Sequence, residues 1–154
     1  MKTALFPGSF DPFTIGHESV VRRALPLFDK ILIAVGSNTN KKGFFPLEQR
    51  VQWINDVFEG EPKIEVVTYE GLTIEFCHKI GGDYILRGLR TAADFEYERA
   101  IAQMNRAMIP QIETIFILTQ PEHTHVASNI VRDIIINGGD ASMFLPKKIK
   151  ITRK

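Results

Sequence analysis

The sequence alternates between short apolar runs and amphipathic helical segments, and this alternation limits the folds that the chain can adopt. The apolar runs cover residues 4–6, 30–36, 64–69, 84–87 and 114–118. The segments after them carry apolar residues at helical spacing, at residues 17–28, 47–58, 72–80, 92–108 and 128–137. Five such alternations predict a single-domain α/β fold, Rossmann-like and doubly wound, with a five-stranded parallel sheet. Ligands of such folds bind at the carboxyl ends of the strands.

Length and composition indicate one globular domain that spans residues 1–154. The apolar content of 44% and the charged content of 24% are those of a globular protein in water. The net charge of +1 gives no electrostatic reason to expect nucleic acid or an anionic membrane as a partner. We expect no membrane span and no secretory leader, because the apolar runs are short. A single cysteine, Cys77, cannot form an internal disulfide, so we expect a buried thiol and a cytoplasmic location.

Residues 8–17 join the first apolar run to the first helical segment and form a candidate anion site. The backbone N–H groups of a strand-to-helix turn converge there, and the positive end of the helix dipole adds to their effect. Gly8 and Gly16 allow the backbone to approach a ligand closely. His17 falls in the first helical turn, where its ring can reach a bound phosphate. The segment matches neither the dinucleotide-binding glycine motif nor the P-loop, since no Gly-Lys-Ser/Thr follows.

Three further polar segments follow predicted strands, and we expect them to meet the glycine loop at one crevice. They contain Lys41 and Lys42 after the second strand, Arg87 and Arg90 after the fourth, and residues 123–132 after the fifth. Cationic side chains and helix N-termini around one cleft are typical of a polyphosphate site.

Some of these residues have alternative interpretations. The lysine pair could be a solvated charge pair, and Arg87 could form a structural ion pair with Asp94 or Glu96. His123 and His125 have no third His or Cys at a usable spacing, so we predict no metal site built from protein ligands.

Four segments resemble bacterial phosphopantetheine adenylyltransferases, a family of the nucleotidyltransferase superfamily that carries an (H/T)xGH motif. Residues 7–17 read PGSFDPFTIGH, residues 87–98 read RGLRTAADFEYE, residues 104–106 read MNR, and residues 144–146 read FLP. The resemblance implies transfer of an adenylyl group from ATP to 4′-phosphopantetheine, which gives dephospho-coenzyme A and pyrophosphate. It also implies a homohexamer, and Mg²⁺ bound mainly through substrate phosphates.

The resemblance assigns roles to individual residues. His17 would stabilise the transition state at the α-phosphate, and it is the residue expected to act in catalysis. The residues expected to bind phosphopantetheine are Ser9, Lys41, Thr73 and Arg87. The residues expected to bind ATP are Ser9, Phe10, His17, Gly88, Leu89, Arg90, Glu98, His123, Thr124, His125, Val126, Ala127, Ser128 and Asn129.

The predicted nucleotide loop departs from the family pattern of serines and aromatic residues. Residues 123–129 read HTHVASN, so Ser128 alone keeps the serine chemistry. A helix N-terminus binds phosphate mainly through backbone N–H groups, and we therefore expect Asn129 to replace a serine without loss of ATP binding. Ser128 and Arg132 would then contact the β- and γ-phosphates.

The predicted reaction needs no general base or covalent intermediate, because the acceptor phosphate is already an anionic nucleophile. Positioning and fixed positive donors address the repulsion between the two polyanions. Two alternatives remain open at this point. One is a sibling nucleotidyltransferase that uses another phosphate acceptor, such as nicotinate mononucleotide, and the other is a non-catalytic ATP-binding module.

Overall fold

A computed structural model describes residues 1–37 and 42–151. Lys41, predicted to bind phosphopantetheine, lies outside the described residues. In this part of the chain five strands alternate with five helices. The strands are β1 (Thr3–Gly8), β2 (Lys30–Gly36), β3 (Ile64–Tyr69), β4 (Tyr84–Leu89) and β5 (Glu113–Leu118). The helices are α1 (Ile15–Ala24), α2 (Leu47–Val57), α3 (Thr73–Lys79), α4 (Ala92–Met108) and α5 (Ser128–Ile136). Short 3₁₀ turns cover Leu25–Leu27, Pro121–His123 and Ser142–Phe144.

The strands form one parallel sheet in the order β3-β2-β1-β4-β5. The chain begins in the centre, moves outward through β2 and β3, and returns to the other side of β1 for β4 and β5. This topology confirms the predicted α/β class and the five-stranded parallel sheet. The direction of winding reverses between β1 and β4, and their carboxyl ends therefore flank the place where such folds bind ligands.

Side chains alternate between the two faces of the sheet, and each face has its own apolar core. Ala4 and Phe6 belong to the larger core, which α1, α2 and α5 cover. Leu5 points to the opposite face and packs with Ile74 and Cys77 of α3. Cys77 is fully buried there, which confirms its predicted place in the core.

Helix α4 stands apart from both cores and keeps all of its side chains at least partly exposed. The sequence places Tyr97, Ile101, Met104 and Met108 along one line of this helix. Three of them are largely open, with exposed fractions of 71% for Tyr97, 66% for Met104 and 51% for Met108. Much of this apolar line is therefore left uncovered by its own chain. Among residues 1–37 and 42–151, no helix has the length and apolar character needed to cross a bilayer.

Several element boundaries near the candidate site differ from those predicted, and β1, for example, runs from Thr3 to Gly8 instead of covering residues 4–6. β4 continues through Gly88 and Leu89, because the backbones of both residues pair with the end of β5. α5 ends at Ile136, one residue before the predicted end, and its N-cap is Ala127, whose side chain makes no capping hydrogen bond.

Candidate active site

His17 is held at the start of α1 by reciprocal hydrogen bonds with Thr14. The Thr14 hydroxyl accepts the backbone N–H of His17 at 3.4 Å, and His17 Nδ1 accepts the backbone N–H of Thr14 at 3.0 Å. This is a capping box in which histidine takes the place of the usual Glu or Gln. Since Nδ1 accepts a hydrogen bond from an amide, the neutral ring carries its proton on Nε2. The local sequence thus fixes both the position and the tautomer of this imidazole.

The environment of the imidazole keeps His17 neutral. Three phenylalanine rings surround it. Their centroids lie 5.0, 5.3 and 6.4 Å from that of the imidazole, for Phe10, Phe13 and Phe6 respectively. Burial is the main reason that the pKa of His17 falls from 6.5 to about 3, and the positive charges of Arg87 and Arg90 act in the same direction. At neutral pH the ring can therefore donate a hydrogen bond from Nε2 but carries no charge.

A cavity of about 410 Å³ opens beside His17, at the carboxyl ends of β1 and β4. It is lined by the glycine loop, the end of β4 and the segment that leads into α5. The predicted ATP-binding residues in its lining are Ser9, Phe10, His17, Gly88, Arg90, Glu98, His123, Val126, Ala127, Ser128 and Asn129. The other three, Leu89, Thr124 and His125, lie outside this lining. The Leu89 side chain is buried, and the exposed His125 ring lies 6.3 Å from the Phe144 ring.

A second cavity, of about 240 Å³, adjoins the first between α4 and the sheet. Its lining includes Thr73, which the sequence assigns to phosphopantetheine, together with Tyr97 and Asn105 of α4. The Thr73 hydroxyl shares a 2.9 Å hydrogen bond with the hydroxyl of Tyr69. Four residues line both cavities: Pro7, Gly8, Arg87 and Glu98. The two cavities together can hold two ligands whose ends meet near Arg87.

Arg87 is held in place by a carboxylate of α4 and by the glycine loop. Its Nε and Nη2 donate to the two carboxylate oxygens of Glu98 at 3.0 and 2.6 Å, and its Nη1 donates to the Pro7 carbonyl at 2.7 Å. The alternative interpretation, a structural ion pair with Asp94 or Glu96, is therefore correct in expecting an ion pair but wrong about the partner, which is Glu98. Asp94 pairs with Arg90 instead, at 3.3 Å.

Four side chains donate to carbonyl oxygens in and next to the glycine loop. The pairs are Arg87 to Pro7 at 2.7 Å, Arg50 to Ser9 at 2.7 Å, Arg132 to Asp11 at 2.8 Å and Ser128 to Pro12 at 2.9 Å. The sequence assigned Ser128 and Arg132 to phosphates, whereas the structure also gives them a part in holding this loop. Arg50 was missed by the sequence reasoning. Its spacing from Leu47 and Ile54 places it on the apolar face of α2, and a charge at such a position requires buried partners.

Protein groups alone supply no evident metal centre in residues 1–37 and 42–151, where no cluster of three His, Cys, Asp or Glu side chains could hold an ion. Two carboxylates line the 410 Å³ cavity, from Asp94 and Glu98, and each is paired with an arginine. These residues fit an ion that arrives with a phosphate ligand better than one held by the protein itself.

A larger, more apolar cavity of about 660 Å³ lies elsewhere, between the start of α2, the end of α5 and the C-terminal residues that the structure describes. Its lining is dominated by side chains such as Phe44, Ile136 and Ile149. The cavity beside His17 is the better candidate for an active site, because a histidine of perturbed pKa, three arginines and a helix N-terminus converge there.

Some solved structures of similar fold carry the names of nucleotide adenylyltransferases. A candidate nicotinate-nucleotide adenylyltransferase from Vibrio parahaemolyticus superposes with a TM-score of 0.69 and 19% identity, over 95% of this chain and 88% of that one. A bifunctional NMN adenylyltransferase/ADP ribose pyrophosphatase from Francisella tularensis superposes with a TM-score of 0.65 and 17% identity, over 94% of this chain and 44% of that one. At these identities the likeness shows the fold alone. The cytidylyltransferase-like family model matches residues 5–134 and defines the class.

Close relatives narrow this class. A phosphopantetheine adenylyltransferase of Flavobacterium psychrophilum is 52% identical over 98% of this chain and 99% of the relative. One of Bacteroides fragilis is 48% identical over 98% of this chain and 100% of the relative. This chain belongs to the phosphopantetheine adenylyltransferase family.

Proposed function

We propose that this protein transfers the adenylyl group of ATP to the phosphate of 4′-phosphopantetheine, giving dephospho-coenzyme A and pyrophosphate as a step of coenzyme A biosynthesis. The observation that carries the proposal is the pair of adjoining cavities, which share Arg87 beside the neutral donor His17. Membership of the phosphopantetheine adenylyltransferase family supports the identity of both substrates.

In the proposed reaction, an oxygen of the acceptor phosphate attacks the α-phosphorus of ATP. The bond between that phosphorus and the bridging oxygen breaks, and pyrophosphate leaves with the electron pair. His17 donates its Nε2–H to a non-bridging oxygen of the α-phosphate, where charge accumulates in the transition state. Its neutral state suits a donor that does not transfer its proton. The 410 Å³ cavity holds ATP, and the 240 Å³ cavity holds the pantetheine arm.

Arg87 is proposed to bind the acceptor phosphate where the two cavities meet, and Lys41 to assist it. A guanidinium with one edge on Glu98 keeps donors for a phosphate, and its charge reduces the repulsion between the two substrates. Mg²⁺ is proposed to reach the site on the phosphates of ATP, because Asp94 and Glu98 already pair with arginines. When bound, the ion would neutralise phosphate charge.

We further propose that the protein assembles with copies of itself, as a hexamer by resemblance, and that it works in the cytoplasm. The support for assembly is the exposed apolar line of α4, which contains Tyr97, Met104 and Met108. The support for the location is the free, buried thiol of the single cysteine. Light scattering in solution tests the oligomeric state.

The decisive experiment is incubation with ATP, Mg²⁺ and 4′-phosphopantetheine, followed by mass measurement of the product. His17→Ala is expected to lower turnover by about 100- to 1,000-fold, the usual effect of removing one transition-state donor. His78→Ala, at an exposed site of α3, is the matched control. Product formation with nicotinate mononucleotide alone would indicate a different acceptor, and ATP binding without pyrophosphate release would indicate a non-catalytic module.

A further inference from the structure

The backbone of Phe10 is in an unusual conformation at the centre of the glycine loop. Its φ angle is +48°, a left-handed value that a residue with a bulky side chain rarely adopts. The ring is only 3% exposed and contacts the rings of Phe6, Phe13 and His17. The surrounding structure therefore has to hold this backbone against its local preference.

Arg50 lies where it can hold the backbone of Phe10 in this conformation. It lies on α2, is only 5% exposed, and falls outside the lining of both cavities. Its Nη1 donates to the Ser9 carbonyl at 2.7 Å, and its Nε donates to the Phe45 carbonyl at 3.0 Å. The carboxylate of Asp11 accepts the backbone N–H groups of Phe44 and Phe45 at 2.7 and 2.9 Å. Asp11 thus links the glycine loop to the segment before α2, and Arg50 bonds to both segments, which fixes its side chain between them.

The bond to Ser9 sets the direction of the next amide. The Ser9–Phe10 peptide is trans, so its C=O and N–H groups point in opposite directions. The C=O points at Arg50, behind the loop, and the Phe10 N–H therefore points to the other side. Ser9 and Phe10 both line the 410 Å³ cavity. Within the described residues this N–H donates to no protein acceptor, which leaves it available to a ligand.

The alternative orientation of this peptide would relieve the unusual φ angle of Phe10. A half-turn of the peptide plane would bring the φ angle of Phe10 from +48° to about −130°, in a well-populated region. It would also turn the Ser9 carbonyl oxygen toward the cavity and the Phe10 N–H away from it. An anionic ligand would then meet a partially negative oxygen where it had met a donor.

We propose that Arg50 is a positioning residue, which locks the Ser9–Phe10 peptide with the Phe10 N–H directed at the phosphates of the bound nucleotide. The identity of that ligand rests on the proposed function, whereas the lock rests on the geometry of the loop. Arg50 acts through the backbone and does not touch either substrate.

The test compares Arg50→Gln and Arg50→Lys with the wild-type protein by calorimetric titration with ATP. Losing a charge-assisted donor and gaining a repulsive oxygen should raise the Kd for ATP about 10- to 100-fold in Arg50→Gln. A lysine can reach the Ser9 carbonyl with its single ammonium group. The Kd of Arg50→Lys for ATP should therefore lie between those of the wild-type protein and Arg50→Gln. A crystal structure of Arg50→Gln should show the Ser9–Phe10 peptide reversed.

A matched control separates positioning from general destabilisation. Arg22 also donates from its guanidinium to a backbone carbonyl, that of Val57 at 3.1 Å, and it lies over the Phe58 ring. Arg22→Gln should lower the melting temperature without changing the Kd for ATP. The proposal is overturned if Arg50→Gln, or Arg50→Met where the former does not fold, binds ATP within twofold of wild type. An equal affinity loss in Arg22→Gln, or an unreversed peptide in Arg50→Gln, would also overturn it. Absence of ATP binding by the wild type would refute the proposed function instead.

Discussion

The neutral state of the half-buried His17 should make the stability of the protein depend on pH in a way that one substitution removes. The imidazole titrates near pH 6.5 in the unfolded chain, and its pKa in the fold is about 3. Below pH 6.5 the unfolded chain takes up a proton that the folded protein excludes, and acidification therefore favours unfolding. His17→Gln keeps a polar side chain at this position of α1 but has no proton to bind.

The size of the effect follows from the two pKa values. The contribution is present in full above pH 6.5 and is lost as the pH falls toward 3. Between these values each pH unit removes about 1.4 kcal/mol from the free energy of unfolding. At pH 5 the loss from His17 is therefore about 2 kcal/mol relative to pH 8. Any folded-state pKa well below 5 gives the same result, because the folded protein is then unprotonated at pH 5.

Urea unfolding at pH 8 and pH 5 measures this loss directly. We expect the wild-type protein to lose about 2 kcal/mol more stability over this interval than His17→Gln. Carboxylates that titrate in the same range are common to both proteins and cancel in the difference. His78→Gln, at an exposed position of α3, should follow the wild type. Equal losses in the wild type and His17→Gln would refute the reasoning, since the folded protein would then bind the proton as the unfolded chain does.

Three other substitutions or treatments test individual contacts. Glu98→Gln should raise the KM for the acceptor about tenfold, because Arg87 loses a bidentate ionic partner, whereas Asp94→Asn should raise it only a few-fold; equal effects in steady-state kinetics would contradict this. Asn129→Ser should change kcat/KM by a few-fold at most, the scale of one neutral hydrogen bond, and a hundredfold gain would show that the native loop is impaired. Burial, with a smaller effect from a nearby carboxylate, raises the pKa of Cys77 to about 11, so mass spectrometry should find it alkylated at pH 8 only after unfolding; rapid labelling of the native protein would contradict its burial.

The bounds of β2, β3 and α4 are the predicted ones, and β2 shows most plainly why. β2 is apolar along almost its whole length because both of its faces are covered, and its predicted bounds are those observed. The end of β4 was missed because Gly88 favours strands weakly on its own. Its place in the sheet depends on pairing with Ile117 of β5, a contact that is distant in sequence.

The candidate site also has features that the sequence predicts and features that only the fold reveals. The position of His17 could be predicted because its motif is also a local capping box. The predicted partner of Arg87 was wrong. Glu98 lies one turn after Asp94 on the same face of α4, and this spacing could have indicated Glu98 as a further candidate partner. The bonds from Arg50 and Arg132 to the glycine loop end on backbone carbonyls, which every residue has. Such acceptors leave no trace in the sequence, and the geometry of the fold was needed to find them.

The ion pair between Arg87 and Glu98 lies where the two cavities meet and can couple the binding of their ligands. Both side chains belong to both linings, so a ligand that displaces the pair changes the surface that the second ligand meets. Any factor by which nucleotide alters acceptor affinity must equal the factor by which acceptor alters nucleotide affinity. We therefore expect the occupant of each cavity to change the affinity of the other through this shared salt bridge.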